Sequence, residues 1–232
     1  MAYVLEPPQV ASLAVSGSKA RFPVRRIFCV GRNYAAHARE MGGNPDREPP
    51  FFFTKPADAV ADSGASIPYP PLTQSLHYEI ELVVAIGKAG SDIAVENAAS
   101  YVWGYGAGID LTRRDLQDEA KKLARPWDWG KAFDLSAPCG ELVPANGALP
   151  DSGRIWLAVN GEVRQEGDLS EMIWPIADII RYTSLSVGLR PGDLIFTGTP
   201  AGVGPIVPGD RVAGGVDGIG GIEIVIGERA AA

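Results

Sequence analysis

A single α+β domain built from many short strands is what this sequence predicts, on three observations. Short strand-like apolar runs recur along the 232-residue chain and are separated by turn formers, with 28 Gly and 19 Pro in all. Helical signals are few and brief. No shift in composition marks a domain boundary, and 46% hydrophobic content is enough for one sizeable core.

Taken in order, residues 1–24 read as an irregular lead-in with Pro7, Pro8, Gly17 and Pro23, holding one short strand near 10–15. Residues 26–30 form a buried strand stopped by Gly31, and a helix follows over 32–41 with Asn33 near its cap. On it His37 and Glu40 lie three apart, so they are neighbours on one face. Residues 42–50 form a turn. The aromatic strand 51–56 carries Lys55, and its consecutive phenylalanines imply burial on both faces. A loop-rich passage over 57–73, with a short strand near Ile67, leads into the apolar run 76–87.

Beyond that run, a short helix is expected at 94–100 and a glycine-rich strand at 101–110. Thr112 then caps a charged helix over 113–123, with Asp115 completing a capping box. Residues 125–134 are dense in aromatics and form an irregular loop lining something. The strands 155–159 and 162–165 flank an Asn160-Gly161 hairpin turn, a helix spans 174–185, and Pro-Gly-Asp turns at 191–193 and 208–210 introduce further strands.

Composition excludes several functions. A net charge of -7 and a pI near 4.9 argue against nucleic-acid binding. No apolar run reaches membrane-span length, and the N-terminus lacks the pattern of a signal peptide, so a cytoplasmic location is expected. Cys29 and Cys139 sit in apolar surroundings as small buried residues, which excludes a disulfide framework. With His37 and His77 the only histidines, any metal is expected on oxygen ligands.

The run 76–87 holds two carboxylates, Glu79 and Glu81, on one face of a strand. Their repulsion is relieved by water, by a proton or by a cation. Asp110, at a strand end, would complete a three-oxygen set for magnesium, although Asp115 or Asp118 could replace it and a solvated strand face is the plain alternative. His37 with Glu40 has the form of a base oriented by a carboxylate, or of an ordinary helical pair. His77 shares the face of the glutamates in a packing role. Lys55 and Lys131 lie beside aromatics, to bind an anion or simply to reach solvent. The loop 197–204 can offer amides and hydroxyls to a carboxylate. The glycines at 104, 106 and 108 lack the last glycine of a dinucleotide fingerprint.

In order along the chain, VGRNYAAHAREMG, FFFTKP, HYEIELVVAIGK, GYGAGIDLTRRDLQ, WDWGKAFD, NGEVRQEG and DLIFTGTPAGVGP together resemble the fumarylacetoacetate hydrolase family in its short single-domain branch. The resemblance runs from about Ile27 to Ile226, and the dissimilar first two dozen residues stand outside it. It implies an α+β mixed β-roll or β-sandwich with short helices, forming one catalytic domain over 25–232, a homodimer, and a Mg2+ or Mn2+ ion. Position by position it implies metal ligation by Glu79, Glu81 and Asp110, water activation by His37 and Glu40, and an active-site lysine at Lys131. Arg32, Lys55, Arg114, Gln117 and Thr199 match positions that line the substrate pocket. The implied activity is cleavage of the C–C bond of a 2,4-diketo acid, fumarylpyruvate or another acylpyruvate, to pyruvate and a carboxylic acid. Such a step belongs to aromatic catabolism. Oxaloacetate decarboxylase, 2-oxo-diacid isomerase and sugar-acid dehydratase activities occur within the same resemblance, and a non-catalytic ligand-binding or scaffold relative is the reading from another class.

Overall fold

The strand Ile80–Ile86 is the pivot of the molecule, and all of its residues are buried. A computed structural model describes residues 2–40, 42 and 49–229. Alternation sends Ile80, Leu82, Val84 and Ile86 into the main core, while Val83 and Ala85 enter a second core with Leu13, Phe22 and Phe196. Burial on both faces is why the run reads as continuously apolar.

This strand lies inside an eight-stranded mixed sheet, between Asp193–Phe196 and Val102–Ile109. Arg26–Gly31 pairs parallel with Asp193–Phe196 and antiparallel with Phe51–Lys55, so the aromatic strand is an edge of the sheet path. On the far side, Ala137–Cys139 connects Val102–Ile109 to Val60–Asp62. A five-stranded sheet, ordered Glu162–Asp168, Arg154–Val159, Arg211–Val216, Gly220–Arg229 and Ser66–Tyr69, faces it across the main core. Ile155, Leu157, Val212 and Ile224 from that sheet share the core with Leu82 and Val84. The architecture is α+β, with mixed sheets and few short helices.

The turn chemistry matches expectation. Asn160 and Gly161 both take positive φ, 52° and 84°, as a two-residue hairpin turn requires, and Gly192 and Gly209 do so at the two Pro-Gly-Asp turns. Residues 12–14 and 21–23 pair as a hairpin whose Leu13 and Phe22 are buried in the second core. The expected helices appear at Ala35–Glu40, Arg114–Lys122 and Ile176–Ser186, and as a 3-10 segment at Val95–Tyr101. Met41 and most of the 42–50 turn lie outside the described residues. No described helix is long and apolar enough to cross a membrane.

Several local expectations fail, each for a tertiary reason. The run 76–87 is not one strand. Leu76–Tyr78 belongs to a separate three-stranded sheet with Thr112–Arg113 and Gly204–Ile206, and pairing in the large sheet starts at Ile80. Glu79 sits at the break, where its carbonyl accepts from Asp110 N at 2.8 Å and Ile80 N donates to the Gln165 side chain at 3.0 Å. Thr112 is in a strand and its hydroxyl donates to Asp110 O, so it caps nothing. Asp115 accepts instead from Thr73 Oγ1 at 2.6 Å and Gln74 N at 2.8 Å, tying the helix start to the preceding loop. Asn33 likewise serves as a buried cross-link, donating to Trp174 O and Thr197 O and accepting from Trp174 N. The loop 125–134 contains one helical turn, Asp128–Lys131.

Candidate active site

The break at Glu79 and the end of Val102–Ile109 bring three carboxylates together. Oxygens of Glu79, Glu81 and Asp110 all lie within 4.8 Å of one another, and all three residues are buried. Their positions are fixed from the backbone. Asp110 N donates to Glu79 O, and Glu81, opposite Gly108 in the ladder, accepts from Gly198 N at 2.7 Å. Gly198 has φ of +94°, and a Cβ there would lie 2.6 Å from Asn33 Cβ, so no other residue delivers that amide without strain.

Three cations surround the cluster. Lys131 Nζ lies 2.8 Å from Glu79 Oε2, 2.6 Å from Asp110 Oδ2 and 2.7 Å from Thr112 Oγ1. Lys55 Nζ is 2.8 Å from Asp110 Oδ1, while it donates to the carbonyls of Leu111 and Lys131. Arg114 bridges Glu79 and Gln117, with Gln117 Oε1 at 2.6 Å. Both lysines are buried, 3% and 2% exposed, because the aromatic strand and the Asp128–Lys131 turn direct them inward. Neither reaches solvent as a surface lysine would.

The electrostatics are divided within the cluster. Burial pushes Glu79 up, but Lys131, Arg114 and His37 together hold it below the ordinary carboxylate range. Burial, then Asp110 and Glu79, push Glu81 well above that range. Burial acts to lower the Lys131 value, yet Asp110 and Glu79 outweigh it and keep the ammonium charged. Asp110 Oδ1 meets the Lys55 ammonium at 2.8 Å as an ion pair, but out of line for a hydrogen bond. Three buried carboxylates whose oxygens crowd within 4.8 Å of one another are the donor set of a hard divalent ion, so Mg2+ or Mn2+ fits here.

A narrow cleft, with about 30 Å³ of free space, opens over the cluster and is walled by His37, Arg32, Gln117, Thr199, Phe53 and Trp127. His37 Nδ1 lies 3.2 Å from Glu40 Oε2, and Glu40 also accepts from Gly202 N. The histidine is buried while Glu40 reaches the surface, so the pair is a half-sheltered dyad and no simple surface contact. Burial lowers the His37 value, only partly opposed by Glu79 and by its bond to Glu40. Thr199 Oγ1 accepts from Gln165 Nε2 at 2.8 Å.

The structure thus brings all the sequence-predicted site residues into or around one cleft. It also closes alternatives left open above. Asp115 is tied to Thr73 and Gln74, and Asp118 to Lys121, so neither joins the carboxylates. His77 bonds to Ser75 Oγ and sits in the small sheet. Among the aromatics, Trp127 lines the cleft with Phe51 packed edge-on at 5.1 Å, whereas Trp103 packs on Phe22 and Trp174 on Tyr182.

Three residues carry supporting roles that the sequence did not disclose. Gln165, buried, ties Ile80 N to Thr199 and Pro200 O, so it joins the cluster strand to the 197–204 loop. Asn33 ties that loop to Trp174. Lys121 reaches the cleft from the Arg114–Lys122 helix. Only its spacing from Arg114 and Gln117, on one helix face, pointed there.

Residues 26–226 match the model of the fumarylacetoacetate (FAA) hydrolase C-terminal family. A fumarylpyruvate hydrolase of Ralstonia sp is 45% identical over 189 residues, 81% of this chain and 98% of that protein. The mitochondrial oxaloacetate tautomerase of Mus musculus is 46% identical over 197 residues, 84% of this chain and 88% of that protein. The crystal structure of fumarylpyruvate hydrolase from Pseudomonas aeruginosa in complex with Mn2+ and pyruvate superposes with a TM-score of 0.95 at 51% identity, covering 98% of this chain and 100% of that one. With a matching domain model, fold and sequence over nearly its whole length, the chain belongs to the fumarylacetoacetate hydrolase family.

Proposed function

We propose that the chain is a divalent-metal-dependent hydrolase that cleaves the C–C bond of an acylpyruvate, fumarylpyruvate being the substrate best matched by its relatives. The observation that carries this reading is that His37, bonded to Glu40, lines the same cleft as the buried Glu79 and Glu81, with Asp110 clustered behind them. Glu79, Glu81 and Asp110 would hold Mg2+ or Mn2+, which when bound supplies Lewis-acid polarisation of a 2-oxo acid.

The remaining chemistry falls to the chain's own side chains. A His37 kept neutral by burial, with Nδ1–H donated to Glu40, presents Nε2 as an acceptor for a water proton. Hydroxide then adds to the distal acyl carbonyl. Lys131, held by three acceptors, releases one of them to donate to the developing oxyanion. The bond between the acyl carbon and C3 breaks, its electron pair stays on the pyruvate fragment, and C3 takes up a proton. One water is consumed, and one carboxylic acid and one pyruvate leave. Arg114, Gln117, Arg32 and Thr199 position the acid and oxo groups, while Lys55, which does not line the cleft, holds Asp110 from behind. Following the resemblance, we also propose a homodimer.

A second reading has support of its own. The oxaloacetate tautomerase relative matches this chain as well as the hydrolase relative does, and tautomerisation needs proton transfer without attack by water. Incubation with fumarylpyruvate, acetylpyruvate and oxaloacetate, with Mg2+ or Mn2+ present, separates the two. Equimolar pyruvate and carboxylic acid from the acylpyruvates is the expected result. Enol-to-keto conversion of oxaloacetate, with no pyruvate from either acylpyruvate, overturns the hydrolase reading.

A further inference from the structure

The helix Arg114–Lys122 lays a polar stripe along one wall of the cleft. Arg114, Gln117 and Lys121 are spaced three and four apart, so they share one helical face, and all three line the cleft. Arg114 is fixed at the inner end by Glu79. Seven residues on, Lys121 lies about 10 Å further along the axis at 1.5 Å per residue. Its ammonium stands over the Trp127 ring at 5.5 Å and 3.1 Å from Asp118 Oδ1, with its side chain 24% exposed. Burial, and then the charges of Arg114 and Arg32, depress its value even though Asp118 raises it. The outer cleft therefore concentrates positive charge that the half-exposed Asp118 offsets only in part.

We infer that Lys121 is the specificity-determining residue that receives a second carboxylate at the far end of the acyl group. The inference rests on the acylpyruvate reading above. In an extended fumarylpyruvate the two carboxyl carbons are six bonds apart, on the order of 7 Å at about 1.2 Å per bond. With its oxo-acid end at Arg114, such a dianion places its distal carboxylate within the sweep of the flexible lysine stem. Trp127, wedged against Phe51 and Phe53, backs the flat unsaturated chain between them. An acyl group without the second charge, such as acetyl, reaches none of this wall.

The test compares kcat/KM for fumarylpyruvate and acetylpyruvate in the metal-loaded full chain, in wild type, Lys121→Met and Lys121→Arg. Methionine keeps an unbranched stem over Trp127 and removes the charge. The ratio of fumarylpyruvate to acetylpyruvate efficiency should fall about ten- to a hundredfold in Lys121→Met, chiefly through KM, and arginine should restore most of it. A ratio within about twofold of wild type in Lys121→Met overturns the inference alone. So does an equal fall in Lys121→Arg, which marks a packing role. A wild type that cleaves neither substrate overturns the acylpyruvate reading and this inference with it.

Discussion

Asp193 and Asp110 are both fully buried at strand boundaries, and each has two basic residues beside it. They differ in what their lone pairs meet. Asp193, from the first Pro-Gly-Asp turn, accepts from Arg25 and Arg26 on Oδ1 and from Arg26 and Arg190 N on Oδ2, all between 2.8 and 3.1 Å. Its arginines run out to solvent. Asp110 accepts one hydrogen bond, from Lys131 on Oδ2, its Oδ1 meets Lys55 only as an ion pair at 2.8 Å, and both lysines are buried. A carboxylate filled by its own chain is a staple. One with fewer hydrogen bonds, crowded within 4.8 Å of two further buried carboxylates, is a seat for a cation.

Mutations can break this contrast, beginning with the largest effect. Glu81→Gln should lower kcat/KM toward an acylpyruvate by about a thousandfold, because it removes a ligand from the reacting centre. Its urea midpoint should not fall, since neutralising one of three crowded carboxylates relieves repulsion. Asp193→Ala should do the reverse. Loss of a buried acceptor of four hydrogen bonds costs about 2–3 kcal/mol in urea unfolding, limited because Arg25 and Arg26 can turn to water. Turnover per folded molecule should stay at the wild-type level. If both variants lose stability and activity alike, the two aspartates do not differ in kind.

A smaller effect sharpens the base assignment. Since burial holds the His37 value below the ordinary imidazole value of about 6.5, kcat/KM should rise with pH through an inflection below 6.5 and level off above it, where the ring is neutral. Glu40 raises that value, so Glu40→Gln should move the inflection lower still while reducing the rate. An acid limb at or above 6.5 that ignores Glu40→Gln would remove His37 from the base role.

Much of this contrast is legible in the sequence, but unevenly. The α+β class follows from short strands and turn residues, and the Asn160-Gly161 and Pro-Gly-Asp turns appear where local backbone preference dictates. Glu79 and Glu81 stand out because charge inside an apolar run is costly, whereas Asp110 at a strand end was separated from Asp115 and Asp118 only by the family resemblance. The switch of sheets at Glu79 was hidden, since it is made by Gln165 and Asp110, far along the chain, which take over the backbone groups of residues 79 and 80. Thr112 and Asn33 misled for the same reason: a residue with good capping chemistry serves equally well as a long-range cross-link, and local spacing does not distinguish the two. The burial of Lys55 and Lys131 was equally hidden, because the carboxylates that compensate them lie on other strands.

The central claim is that Glu79, Glu81 and Asp110 hold a divalent ion while Asp193 holds none. Calorimetric titration of Mn2+ into the wild-type chain, Glu81→Gln and Asp193→Asn, with oxalate present, tests it directly. About one ion per chain should bind to the wild type and to Asp193→Asn, with affinity at least tenfold weaker in Glu81→Gln. No uptake by the wild type, or equal affinity in wild type and Glu81→Gln, would contradict it.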